Sequence, residues 1–567
     1  MIRSRTLAAA TLAVAGLAAT AAAQGELPRM HAPRPTTAAL SPADLMTRLY
    51  VLADDSMMGR EAGTRGNVKG TDYVAAEFRA IGLEPMGEQG GYFQAVPLVH
   101  RGLQPGASVM VDGAALRLGH DYLPLTFVGP LAFAPELRAQ NAPVVFGGRV
   151  GGQMLAPADA RGKLVILLPP QENGADNWRF WRSAAMRTYP GAAGIVVASM
   201  DATPGNLVEA LLQPQTEIAS AEAEQPTQSA PGFIVTRAVA ERMLGKPLAS
   251  AAVGDAGKTV SGGYRHAATP VAAPARNVIG VLRGSDPAVR GQYVVISAHN
   301  DHDGVLATAM DHDSVRAYNR VMRPQGANDP IGTPTPEQQA RITAIRDSLR
   351  RLHGGVVRMD SIMNGADDDG SGTVALIEIA QSLAAGPRPR RSILFMSHTA
   401  EEKGLYGSEW FTDHPTVPRD SIVAALNMDM VGRGRAEEVA RGGPWSIQMI
   451  GSRRLSTQLG DLIDQLNAGR TNPMQIDYSF DAPGHPLNRY CRSDHYMYAR
   501  YGIPITYFSL GYHVDYHQVG DEPQYIDYDH MALVGAFVRD IAVAVANRPE
   551  RLVVDRPKPD PRAPCRQ

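Results

Sequence analysis

From Ala275 onward, apolar runs of strand length, continuous rather than alternating, recur between helical patterns, and this limits the fold more than any other feature. The runs are Tyr293 to Ala298, Ser392 to Ser397, Ile422 to Met428 and Ile503 to Leu510. A strand that is apolar on both faces needs cover on both faces, the situation of a mostly parallel sheet between helices. A helix is predicted between the first two runs, roughly Gly372 to Leu383, with Leu376, Ile377, Ala380 and Leu383 on one face and Gly386-Pro387 as its stop. The predicted fold class is α/β, a mostly parallel or mixed sheet with helices on both faces.

In an open sheet of this kind, ligands bind beyond the carboxyl ends of the strands, so polar residues just after each run are the first candidates for chemistry. The first run ends in His299-Asn300-Asp301 and the second leads to Glu401-Glu402. The third ends in Asp429, and the fourth leads to Tyr516-His517. Singly, each has an ordinary explanation: a hydrogen-bonded loop histidine, a solvated acidic turn, a capping aspartate. Asp367-Asp368-Asp369-Gly370 reads alone as an Asx-type turn entering a helix. Taken together they supply two imidazoles and three carboxylates at one sheet edge, a nitrogen and oxygen set suited to zinc.

The ordered pieces are Ala298-His-Asn-Asp301, Asn364 through Gly372, Ala400 through Ser408, Asn427 through Gly432, Ser493-Asp-His495 and Tyr516 through Asp521. In this order they resemble the co-catalytic zinc aminopeptidases, metallopeptidase family twenty-eight, which also includes glutamate carboxypeptidases. The resemblance covers residues 41 to 100 and 275 to 545. It implies a zinc exopeptidase-like fold and two Zn²⁺ ions per chain, with Asp368 bridging them. Asp367 is the neighbouring candidate, and Asp368 is preferred on its spacing to Ser371. One ion would take His299 and Asp429, the other Glu402 and His517. Two divalent cations against three carboxylates and one hydroxide leave a neutral core that tolerates burial.

Glu401 is the expected general base, taking the proton of a metal-bridging water and passing it to the leaving amine. Asp301 is expected to accept the second ring N–H of His299. The resemblance gives Tyr516 a hydrogen bond to the oxyanion, and the peptide bond after Asp368 looks like the family's cis bond. His302, His398, His495 and His513 fall outside the ligand spacing and are read as supporting or structural. Arg492 and Asp494 are candidates to line the substrate pocket. The expected reaction is removal of the amino-terminal residue of peptides. The alternatives are a glutamate-carboxypeptidase-like exopeptidase gripping a carboxylate with Arg433, Arg435 or Arg492, a glutaminyl-cyclase-like enzyme with one zinc, and a non-catalytic binding protein.

The rest of the chain is organised around that core. Arg3 and Arg5 precede an uncharged stretch from Leu7 that closes in Ala21-Ala22-Ala23, a secretory signal over 1–23. The protein is therefore expected to be exported, periplasmic or extracellular, with no stable membrane insertion after signal removal. Residues 24–40 read as a flexible lead and 551–567, rich in proline, as a loose tail. The zinc peptidase domain is expected over 41–104 and 266–550. Between its halves, 105–265 reads as a small β-rich module resembling the protease-associated domain often inserted in the family.

A second insertion, near 304–362, lengthens the interval from His299 to Asp368. It holds a helix with Thr335 as N-cap and Pro336 at its first position, and is expected to form a wall or lid beside the metals that limits peptide length. A net charge of −2 provides no long-range field for nucleic acid, so none is expected as a partner, and peptides are the expected substrates. Protein partners stay unknown. Only Cys491 and Cys565 are present, too few for a thiolate metal site, and whether they pair is open.

Overall fold

A computed structural model describes residues 26–125, 133–172, 174–177, 188–219 and 229–567; the expected signal segment 1–23 lies outside these. Among the described residues, seven strands from Ala275 onward join Glu84–Pro85 and Phe93–Val96 in a nine-stranded mixed sheet. Its centre is parallel: Ser392–His398, Tyr293–His299, Ile422–Met428 and Ile505–Ser509 lie side by side in that order. Ala275–Leu282 and Ser446–Ile450 flank this centre antiparallel on its two sides.

The continuous apolar runs are explained by what covers each face. Along Tyr293–His299, Val294, Ile296 and Ala298 enter one core with residues of the helices Pro42–Leu52, Gly372–Ala385 and Tyr528–Asn547. The alternate residues Tyr293 and Val295 enter a second core with Phe411, Tyr496 and Tyr498. Successive side chains point to opposite faces, and both faces are dry. The helix Arg65–Ile81 ends with Gly82 in the left-handed region as its cap.

A second, ten-stranded sheet runs from Leu98–Leu103 to Ala256–Pro270 and encloses its own cores. It extends a few residues beyond the 105–265 expected on each side. It is also less purely β, since parallel strands Glu136–Arg149, Leu164–Leu168, Gly194–Ala198 and Gly232–Val235 alternate with the helices Gly205–Leu212 and Arg237–Leu244. The first and last strands of the module pair antiparallel, with His100 opposite Thr269.

The 304–362 insertion leaves and rejoins the domain as a two-stranded ribbon, Gly304–Asp311 against Met359–Met363. Gly59 shapes that junction: at φ +63° a Cβ there would stand 2.2 Å from Gly304 O. The ribbon carries the helices His312–Met322 and Pro336–Leu352, and Thr335 with Gln338 closes a capping box on the second. Among the described residues no helix is long and apolar enough to cross a membrane.

Two expectations about the chain's outer segments need correction. The described part of the lead is anchored: Glu26 pairs with His353 at 2.8 Å, and Thr36 donates to Gln381 at 3.1 Å. The tail is held as well, by a Cys491–Cys565 disulfide and by Asp555, which accepts from Thr457 N–H at 3.0 Å. Composition signalled loose ends because these segments hold few apolar residues, yet Leu27, Leu40, Leu552 and Val554 dock onto cores formed elsewhere and the hydrogen bonds add to that hold.

Candidate metal centre

Each candidate ligand is delivered by a strand end or by the loop beyond it. His299 is the last residue of its strand, and Asp429 follows Met428 directly. Glu401 and Glu402 sit on the turn after Ser392–His398, where Ala400 takes a φ of 57° and Leu405 N–H closes onto Glu401 O at 2.9 Å. His517 lies beyond Ile505–Ser509, also at positive φ. Asp368 occupies the loop entering Gly372–Ala385, and its peptide bond to Asp369 is cis.

Buried polar groups lace these loops together. Fully buried Arg60 donates to the carbonyls of Asn300 at 3.0 Å, Asn364 at 2.6 Å and Gly365 at 2.9 Å. Burial lowers its pKa to about 10, and the Asp521 and Asp301 carboxylates oppose that shift. Asp369 accepts the N–H groups of His299 at 3.0 Å, Gly372 at 2.9 Å and Met430 at 3.1 Å, clipping a strand end, a helix start and a third loop to one carboxylate. Asp521 accepts from Asp367 and Asp368 N–H, each at 3.0 Å.

The ligand atoms then converge in two groups that share Asp368. His299 Nε2 stands 3.2 Å from Asp368 Oδ1 and 3.9 Å from both Asp429 Oδ1 and Glu401 Oε2. His517 Nε2 stands 3.1 Å from Asp368 Oδ2 and 3.2 Å from Glu402 Oε2. Asp368 therefore presents one oxygen to each imidazole. Bonds of about 2.0–2.2 Å around a tetrahedral ion hold neighbouring ligands roughly 3.2–3.6 Å apart, the spacing these pairs approach. His299 Nε2 is buried with no hydrogen bond of its own, as a metal-facing nitrogen should be. The donor set fits a pair of zinc ions.

Charge follows the same division. Burial alone would raise the Asp368 carboxyl, but the adjoining His299 and His517 imidazoles outweigh it and hold the group well below the usual carboxylate range. Burial pushes Glu401 well above its ordinary value, helped by Glu402 and Asp429 and opposed by His299. A carboxylate placed this way has a strong affinity for a proton, which suits an acceptor.

The outer contacts differ in part from expectation. His299 Nδ1 lies 3.1 Å from the backbone oxygen of Asp301 but 3.8 Å from its carboxylate, so the carbonyl is the nearer acceptor. The Asp301 carboxylate instead accepts Glu401 N–H at 3.1 Å, positioning the Glu401 turn. His302 Nδ1 holds Glu402 Oε1 at 2.8 Å, and His513 Nε2 meets Asp367 Oδ2 at 3.1 Å. His398 bonds Tyr498 Oη at 3.0 Å, and His495 stacks on Tyr507, both away from the ligands. Asp303, which no spacing marked, approaches His517 Nδ1 at 2.7 Å.

Tyr516 packs its ring on His517 at 4.2 Å between centroids, and its oxygen accepts from Arg492 at 3.3 Å, leaving its own O–H to donate elsewhere. Arg492 is exposed, while Asp494 is fully buried and so presents no pocket surface. The insertion reaches this loop: Ala327 N–H donates to Tyr516 O at 2.9 Å, and Asn328 Oδ1 accepts from Arg492 at 2.9 Å. Arg433 and Arg435 are engaged elsewhere, by Asp515 and Glu438 in the first case and by Asp527 in the second.

Residues 277–542 match the profile of peptidase family M28. The chain is 29% identical over 207 residues to leucine aminopeptidase 1 of Ajellomyces capsulatus, an alignment covering 34% of this chain and 48% of that one. It is 30% identical over 177 residues to leucine aminopeptidase 1 of Sclerotinia sclerotiorum, covering 30% and 43%. The chain thus spans about half the length of these curated relatives. Among solved structures, an aminopeptidase from Aneurinibacillus sp. strain AM-1 aligns over 92% of this chain and 97% of its own, with 15% identity and a TM-score of 0.47.

Proposed function

We propose, on the match of residues 277–542 to the profile of peptidase family M28, that the chain is an exported two-zinc exopeptidase that removes the amino-terminal residue of peptides. The observation that carries this reading is Asp368, whose two oxygens face the imidazoles of His299 and His517 at 3.2 Å and 3.1 Å. One ion would be held by His299, Asp368 and Asp429, the other by Asp368, Glu402 and His517. Zinc bound there supplies Lewis acidity and makes a neighbouring water easier to deprotonate.

The chain's own residues supply the rest. Glu401 takes the proton of the attacking water and returns it to the leaving amine, and Asp301 fixes the turn that aims Glu401. Tyr516, accepting from Arg492, turns its O–H toward the developing oxyanion. The module between residues 98 and 270 is read as a protease-associated domain, and the 304–362 insertion as a wall beside the cleft. Export is supported by the signal-like first 23 residues and by the Cys491–Cys565 pairing, which suits an oxidising compartment.

A carboxypeptidase needs a free cation to grip the substrate carboxylate, and the ion pairs of Arg433 and Arg435 leave Arg492 alone for that task. A one-zinc cyclase would not need the second ligand group. A panel of aminoacyl and N-blocked dipeptide substrates, assayed with and without chelator, tests the reading. Chelator-sensitive cleavage confined to free amines is expected; cleavage of blocked substrates at the carboxyl end would replace the aminopeptidase with the carboxypeptidase.

A further inference from the structure

A cavity of about 500 Å³ lies apart from the ligand groups, where the 304–362 insertion meets the start of the described chain and the loops before and after His517. Among its charged lining residues, five arginines outnumber three carboxylates, Glu26, Glu437 and Glu438. Arg316 and Arg320 reach it from His312–Met322, Arg341 from Pro336–Leu352, and Arg433 and Arg435 from the peptidase domain. Three of the five are balanced: Arg433 by Asp515 at 2.7 Å, Arg435 by Asp527 at 3.3 Å, and Arg316 by Asp515 at 3.3 Å. Arg320 and Arg341 are exposed at the cavity and form no ion pair with any described residue. Arg320 sits at the cavity's edge, where Arg316 and Arg433 repel it and Asp515 attracts it.

Two further donors make no hydrogen bond. Gln524 is 4% exposed and its Nε2 makes no hydrogen bond; Arg316 is 4% exposed, and its Nη1 has only Glu26 Oε1, at 4.0 Å. Buried donors without acceptors are rare and costly, and both of these belong to residues lining the same cavity as the unpaired arginines. The volume falls in the range that encloses a small molecule, and guanidinium forks match the oxygens of a phosphate group.

We propose that this cavity binds phosphate, free or as a small monoester, between Arg320, Arg341, Arg316 and Gln524. The site communicates with the metal centre by position. Arg316 holds Asp515, Asn319 Nδ2 donates to Val514 O at 2.9 Å, and His517 follows two residues after Asp515. An occupant tightening the insertion against this loop steadies one ligand without touching the zinc.

Calorimetric titration of the zinc-loaded protein with inorganic phosphate tests the proposal, set beside R320A/R341A, whose truncated side chains carry no packing of the metal centre. Saturable binding is expected in the wild type, weakened at least about tenfold in the double variant, since two charged donors are lost. Circular dichroism and peptide turnover without phosphate check that the variant is folded. Absence of saturable binding in the wild type overturns the proposal. Undiminished binding by the folded variant overturns it as well, and would put the phosphate on the zinc ions.

Discussion

Asp303 Oδ2 lies 2.7 Å from Nδ1 of His517, and this contact fixes which ring nitrogen of the histidine carries the proton. With Nδ1–H donated to Asp303, the Nε2 lone pair is left facing Asp368 and Glu402. Asp303→Ala removes the orienting acceptor without removing a proposed ligand. Zinc affinity should fall by roughly 10- to 100-fold at the second ion, measured by competition with a chromophoric chelator. Equal affinity in the two proteins would deny Asp303 this role.

Glu401→Gln keeps the shape of the side chain and abolishes its basicity. Turnover should drop by about 10²- to 10⁴-fold while zinc content, measured by atomic emission, stays at the wild-type level. A variant with wild-type kcat removes Glu401 from the proton path.

The insertion supports the His517 loop through Gly326, whose φ is +54° and whose added Cβ would lie 2.5 Å from Tyr516 O. Gly326→Ala should strain that contact by about 1–3 kcal/mol and shift the loop carrying His517. Zinc retention on dilution should fall, and kcat/KM with it. Unaltered retention would show that the insertion touches the loop without supporting it.

Glu522 offers a test through pH. Burial, with Asp360 and Asp55 nearby, raises its pKa from 4.5 to about 8. The folded protein keeps this proton where the unfolded chain has released it, so the group's contribution to stability declines as pH rises from about 4.5 to about 8. Glu522→Gln lacks that decline. The difference in urea midpoint, variant minus wild type, should increase across the window; a constant difference refutes the raised pKa.

What the sequence made legible follows from how each residue does its work. His299 and Asp429 stand at the ends of continuous apolar runs, and strand ends are readable, so these positions and the sheet behind them could be placed in advance. Arg60 could not, because its partners are backbone carbonyls near Leu52, Asn300 and Asn364, far apart along the chain. Asp369 was hidden for the same reason, since a carboxylate that collects N–H groups needs no motif beyond its own oxygens. The first turns of the Arg65–Ile81 helix are hard to read in the sequence because they hold Gly66 and Gly70, poor helix formers. They are present because larger residues would not fit: a Cβ on Gly66 would stand 2.5 Å from Met57 O, and one on Gly70 3.1 Å from the Arg60 side chain.

The pairing of His100 with Thr269 closes the intervening sheet at its base, and Val96 opposite Ala275 continues the closure on the peptidase side. Both crossings between the two bodies therefore sit at one doorway. Removing everything between them would leave a gap a short turn could bridge, but it would strip Ala62 and Ala400 of the cover that Leu98 and Ile218 give them.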